Sequence, residues 1–255
     1  MKTRLLGLFA ALLIAFPIAP ASAKPVGATS DPSTAVVGAT YGRGAAGPGS
    51  YAVLIDVHSI KPYRGKPVAR ANCASDGSTS ADDYSYTGWK IAGNPTASLN
   101  ATTVPSHLGD VLDEMQASWN AWKVEGAVPS VEVSNGSAVT KYTANRVNDL
   151  LFGRAGSSLA TTYTWRWSDG AVESDTVFNK SIAWVNLGTT ADGCWDNAGA
   201  VYDVRNIATH EFGHSYGMGH TADGRFETMY PYGFSGEVLK WTLGAGDSAG
   251  IKGLY

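Results

Sequence analysis

The chain has 255 residues, a formal net charge of −3 and only 16% charged residues. Its Lys and Arg are scattered singly, which excludes the basic patch that nucleic-acid binding needs. Thirty Gly, eight Trp and twelve Tyr point instead to one loop-rich globular domain with an aromatic core, preceded by an extension.

In chain order, Met1 to Ala23 has Lys2 and Arg4, an apolar run from Leu5 to about Ile18, and then Ala21-Ser22-Ala23. This is the pattern of a secretory signal peptide with a small-x-small cleavage site. About 14 apolar residues are too few to span a bilayer, so the reading is a secreted, extracellular protein with no membrane anchor after cleavage. Cleavage removes two positive charges and no negative ones, taking the net charge from −3 to −5. Lys24 to Ser50 is rich in Gly, Ala, Pro, Ser and Thr without periodicity and reads as a flexible leader, followed by a short strand over Tyr51 to Ile60. Residues 24–83 are either a prosegment removed on activation, which is marginally favoured, or an extension that stays and packs on the globular domain. His58 and His107 stand outside any ligand spacing and read as ordinary surface or core residues. Cys73 and Cys194 are the only cysteines, and in an exported protein their pairing is the default. The bridge would close a long loop and stabilise by about 3–5 kcal/mol.

From Tyr84 onward the segment Thr87 to Ile91 reads as a strand. Ser106 is placed to cap a helix running to about Trp122, with Leu108, Val111, Leu112, Met115, Trp119 and Trp122 forming a core-facing stripe. Val131 to Ser134 alternates as a strand. Tyr163 to Trp167 and Val172 to Phe178 are two more, joined by a Ser168-Asp169-Gly170 turn. Gly188 to Gly199 reads as a loop. Asp203 is an N-cap for a helix from Val204 to about Tyr216, anchored by Val204, Ile207, Ala208 and Phe212.

That helix carries His210-Glu211-Phe212-Gly213-His214, continuing through Gly217 to His220. Residues four apart share a helix face, so His210 and His214 can offer two imidazoles to one ion. Gly217 stands where a helix that must end sharply needs positive φ, and the returning chain can present His220 as a third ligand. Three neutral nitrogens with one open position for water is the coordination of a catalytic zinc rather than a closed structural one. Glu211, beside it, is suited to general base.

The extended motif, followed nine residues after His220 by Met229 in Thr228-Met229-Tyr230-Pro231-Tyr232, resembles the metzincin clan of zinc peptidases. Pro231 two places after the methionine is similar to the matrixin pattern, as is the closing Asp247 to Tyr255, which resembles the matrixin terminal helix. Thr221 stands where the family has Ser and keeps the hydroxyl. The resemblance implies an α/β (α+β) metzincin catalytic domain over 84–255: a twisted mixed sheet with a long N-terminal helix, an active-site helix and a C-terminal helix. It implies a monomeric zinc endopeptidase acting on a peptide or protein substrate. The substrate would lie as an added strand along an exposed edge at Ala160, with one side chain in a pocket walled by Tyr230, Pro231 and Tyr232, and the apolar residues from Phe234 to Leu243 outside. Leu159-Ala160-Thr161 and Asp175-Thr176-Val177-Phe178-Asn179 match family stretches that carry histidines at Thr161 and Val177, so the family's second, structural zinc should be missing. Glu173 and Asp175 keep oxygen donors for a calcium ion, Ca(2+), at a site that Asn179 weakens. The family also uses a cysteine switch, the alternative to a Cys73–Cys194 bridge, although the switch motif is missing around Cys73. A different class, an exported binding or adhesion protein keeping zinc only for its fold, is opposed by Glu211, since metal binding alone needs no base.

Overall fold

The computed structural model describes residues 41–42, 50–64, 79–93, 95–124, 128–188, 200–222 and 224–255. The export signal, the 24–40 part of the leader, Cys73 and Cys194 lie outside the described residues.

The sheet runs in the order β1-β2-β7-β8-β6-β4-β5, from β1 (Tyr41–Gly42), β2 (Ala52–Pro62), β4 (Thr96–Leu99), β5 (Glu132–Asn135), β6 (Asn148–Gly153), β7 (Ala160–Trp167) and β8 (Val172–Asn179). Strands β4, β5, β6 and β8 are mutually parallel, while β7 is antiparallel to β8 and β2 antiparallel to β7. The sheet is therefore mixed, as expected. The β7–β8 hairpin forms where Ser168-Asp169-Gly170 predicts it, with Gly170 at φ 89° and the Trp167 amide donating to the Ala171 carbonyl at 2.8 Å. Strand β6 is buried along its whole length. Parallel strands covered on both faces lose the polar/apolar alternation, which is why the sequence pattern did not reveal β6; β4, four residues long with alternating burial, is a second strand outside the predicted set.

Three helices accompany this sheet, α1 (Leu112–Ala121), α2 (Val204–Tyr216) and α3 (Ala245–Leu254), of which α1 and α2 pack on it and on each other. The helix expected from Ser106 to Trp122 is broken. A 3₁₀ turn over Ser106–Leu108 ends at Gly109 with φ 67°, and the Asp110 carboxylate accepts the Leu112 amide at 2.9 Å to start α1. The core stripe survives the break, with Leu108, Val111, Met115, Trp119 and Trp122 all buried. Trp119 stacks on Phe212 of α2 at 4.3 Å, and the Trp122 indole N–H donates to the Thr209 carbonyl at 2.8 Å. Thr87 to Ile91 is not a strand. The strand is β3 (Ser85–Tyr86), paired with β11 (Met218–Gly219), although Trp89 and Ile91 are buried in the core. Short pairs β9 (Trp184–Val185) with β10 (Tyr202–Asp203), and β12 (Tyr232–Gly233) with β2, complete the pairing. No helix among the described residues is long and apolar enough to cross a membrane.

The strand read at the end of the leader is longer and more central than expected. β2 pairs with β7 from Ala52↔Trp167 to Ile60↔Ala160, with one irregularity between Leu54 and Asp56, and Ala52 and Ile60 are fully buried. Residues 52–62 are thus a strand of this sheet, paired along most of their length with β7.

Candidate active site

Helix α2 starts where the Asp203 carboxylate accepts the Asn206 amide at 2.8 Å. Val204, Ile207, Ala208 and Phe212 bury its inner face completely. It ends at Gly217, with φ 104° and an amide bonded to the Gly213 and His214 carbonyls. A Cβ at Gly217 would lie 2.1 Å from the Trp89 carbonyl oxygen, so both backbone conformation and space demand glycine. The chain then turns back through β11, and the Ser85 hydroxyl donates to the His220 carbonyl at 2.7 Å, fixing the third histidine.

These elements bring the Nε2 atoms of His210, His214 and His220 into a triangle with sides of 3.2, 3.2 and 3.1 Å. His210 Nδ1 is 2.6 Å from the Thr228 carbonyl, and His214 Nδ1 is 2.8 Å from the Met218 carbonyl. A carbonyl can only accept, so each Nδ1 carries the proton and each Nε2 is left with a lone pair. Burial holds both imidazoles well below the usual histidine pKa, hence neutral. Lone pairs converging at this spacing repel unless a cation lies among them. Tetrahedral zinc with Zn–N of about 2.0–2.1 Å would set nitrogens about 3.3–3.4 Å apart, close to the observed triangle. The donor set therefore fits zinc.

Glu211 is fully buried beside the triangle. Its Oε2 accepts from the Thr162 hydroxyl at 2.6 Å and its Oε1 from the Ile60 amide at 3.1 Å. Burial pushes its carboxyl up to about 7, against the lowering pull of those two hydrogen bonds. Met229 is fully buried under α2, its sulfur facing Gly213. Its carbonyl accepts the Thr221 amide at 3.1 Å, and the Asp247 carboxylate of α3 accepts the Thr228 and Met229 amides. The terminal helix thus holds the turn that holds His210.

Several expected site residues sit differently. Ala160 is not on an open edge. It is fully buried and paired with Ile60, because β2 covers β7. The wall segment is likewise engaged, with the Pro231 carbonyl accepting the Lys61 amide at 3.0 Å and the Gly233 carbonyl accepting the Tyr63 amide at 2.8 Å. The Tyr230 and Tyr232 rings lie 5.6 Å apart. His58, read as an ordinary residue, is buried with its ring stacked on His214 at 4.2 Å. His107 does meet only an ordinary partner among the described residues, the Trp184 carbonyl at 3.2 Å. Thr161 and Val177 face one another in register on β7 and β8. Glu173 accepts the Asn145 amide and the Trp167 indole N–H, and Asp175 accepts the Thr143 and Asp149 amides. This carboxylate pair, both raised in pKa by burial, pins the 143–149 stretch to the sheet. Asn179 donates to the Gly156 and Ser158 carbonyls.

Thr162, Ile60 and His58 are the site residues that motif reading missed. A signal for His58 exists: strand alternation places Asp56, His58 and Ile60 on one face. It becomes informative only once β2 is known to cross the site.

A matrixin family model matches residues 89–255. The chain is 29% identical over 164 residues to the hatching enzyme of Paracentrotus lividus, covering 63% of this chain and 25% of that protein. It is 39% identical over 66 residues to the neutrophil collagenase of Homo sapiens, covering 26% of this chain and 14% of that protein. The chain thus spans a quarter or less of each of these curated relatives, and the likeness is to one part of them. With the family match extending over the greater part of its length, on a mixed sheet that sets the extended histidine motif above a buried methionine turn, the chain belongs to the matrixin family of metallopeptidases.

Proposed function

We propose that the protein is a secreted, monomeric zinc endopeptidase, with residues 1–23 as the export signal, 24–83 as a prosegment or retained extension, and 84–255 as the catalytic domain. The observation that carries this reading is the triangle of His210, His214 and His220 Nε2 atoms set beside a fully buried glutamate. His210, His214 and His220 would hold the zinc that the family implies, and when bound the ion supplies Lewis-acid polarisation and lowers the pKa of water. Glu211, aimed by Thr162, would accept a proton from water and deliver it to the departing amine. The main-chain groups of β7 and of residues 231–233 would bind an extended peptide with little regard to its sequence. The Tyr230-Pro231-Tyr232 wall would take one side chain.

The test is Glu211→Ala. The metal ligands and their carbonyl partners are untouched, so zinc content should equal that of the parent. Hydrolysis of a mixed peptide library, assayed before and after limited proteolysis of the N-terminal segment, should fall on the order of 10³-fold or more. A variant that keeps turnover overturns the role of Glu211. A zinc-loaded parent that cuts nothing in either state would favour the binding-protein reading.

A further inference from the structure

We propose that strand β2 is a built-in occupant of the substrate cleft and that His58 Nδ1 is a fourth protein donor to the zinc, so that the chain folded with β2 in place is a latent form. This rests on the zinc-site reading above and deepens it.

Both rims of the cleft spend their main-chain groups on β2. It runs antiparallel to β7 and parallel to β12. The Leu159 amide donates to the Ile60 carbonyl at 2.8 Å, and the wall carbonyls of Pro231 and Gly233 accept the Lys61 and Tyr63 amides. An extended peptide added to these rims would need the same groups, and an edge strand can be augmented only once on a given side. The Ile60 side chain is fully buried. It converges with Leu159 and Ile207 on Gly233, where an added Cβ would meet their terminal carbons at 2.8 Å (Leu159), 3.0 Å (Ile207) and 3.5 Å (Ile60). That is the apolar hollow beside the Tyr230–Tyr232 wall, already filled. The Ile60 amide also holds Glu211 Oε1.

Two residues earlier on the same face, His58 is only 7% exposed. Its ring nitrogens, with those of His214 and His220, offer one atom each within 4.8 Å of one another. His58 Nε2 is 2.9 Å from the Asp56 carboxylate, which also accepts the Trp89 indole N–H at 3.2 Å. The carboxylate accepts, so Nε2 carries the proton and Nδ1 the lone pair. That Nδ1 is buried with no hydrogen-bond partner among the described residues. A buried acceptor left unpaired is costly, and a cation held by the neighbouring histidines would satisfy it. The Asp56–His58 pair then has the form in which proteins orient a metal-binding imidazole, the far nitrogen tied to a carboxylate.

The experiment uses the full chain carrying Glu211→Gln, to prevent self-cleavage, loaded with cobalt(II), whose visible spectrum reports its ligands. His58→Ala should change that spectrum, and His58→Cys should add a near-ultraviolet cobalt–thiolate charge-transfer band that the parent lacks. With Glu211 intact, His58→Ala should raise hydrolysis of a short peptide on the order of tenfold or more. The cysteine variant keeps the test decisive if the alanine variant folds poorly. A thiolate band already present in the parent would place Cys73 or Cys194 on the metal and overturn the proposal, as would spectra unchanged in both variants. Failure of the underlying zinc-site reading looks different: cobalt uptake would be indifferent to His214→Ala.

Discussion

Gly213 lies inside the ligand helix, between Phe212 and His214, and two physical effects of opposite sign meet at this residue. By helix propensity, Gly213→Ala should stabilise α2 by about 0.8–1.0 kcal/mol. The packing opposes it. A Cβ there would lie 2.3 Å from Met229 Sδ and 2.4 and 2.9 Å from two ring carbons of Trp122. The methionine is adaptable, but the Trp122 ring is fully buried and its indole N–H is held by the Thr209 carbonyl at 2.8 Å. Overpacking of this kind costs about 1–3 kcal/mol, and pulling the indole off its carbonyl adds about 1 kcal/mol. Against the propensity gain, the net should be a destabilisation of about 1–3 kcal/mol. At about 2–4 °C per kcal/mol for a domain of this size, Tm should fall by roughly 2–12 °C. Weaker metal retention against a chelator should accompany it, because Met229 and His214 flank the clash. Thermal and urea unfolding of the metal-loaded chain decide the sign. A rise in Tm would show that helix propensity wins and that the Met229–Trp122 floor is looser than described.

Three further outcomes are expected. Elemental analysis of the purified chain should find one tightly held zinc, because Thr161 and Val177 stand where the family's structural-site histidines would be; two per chain would refute this. Cys73 and Cys194 should be bridged, and intact mass with a count of two reactive thiols under non-reducing conditions would rule the bridge out. Profiling of cleavage sites should show Leu, Ile, Met, Phe or Tyr just after the cut, preferred over Gly or Asp by about 1.5–3 kcal/mol from burial of apolar surface. The buried Ile60 beside Leu159 and Ile207 supports that preference, and a flat primed-side profile would sink it.

The sequence alone determined the parts of this protein whose signals are local. A cap at Asp203, histidines four apart on α2, a left-handed glycine at 217 and a hairpin turn at 168–170 each depend on backbone geometry within a few residues, and each is found where the pattern places it. The α1 stripe was legible for the same reason, although Gly109 breaks the helix that carries it. Other features were not legible because their meaning depends on distant partners. Buried strands such as β6 show no alternation, and that the Glu173 and Asp175 carboxylates accept the amides of the 143–149 stretch could not be read from their own segment. His58 is the clearest case. It has no ligand spacing of its own, and its place beside His214 comes from β2 pairing with β7 and from an Ile60–Glu211 hydrogen bond that spans 151 residues of sequence. Spacing within a segment reports which face a side chain shares, whereas only the assembled sheet decides what that face meets.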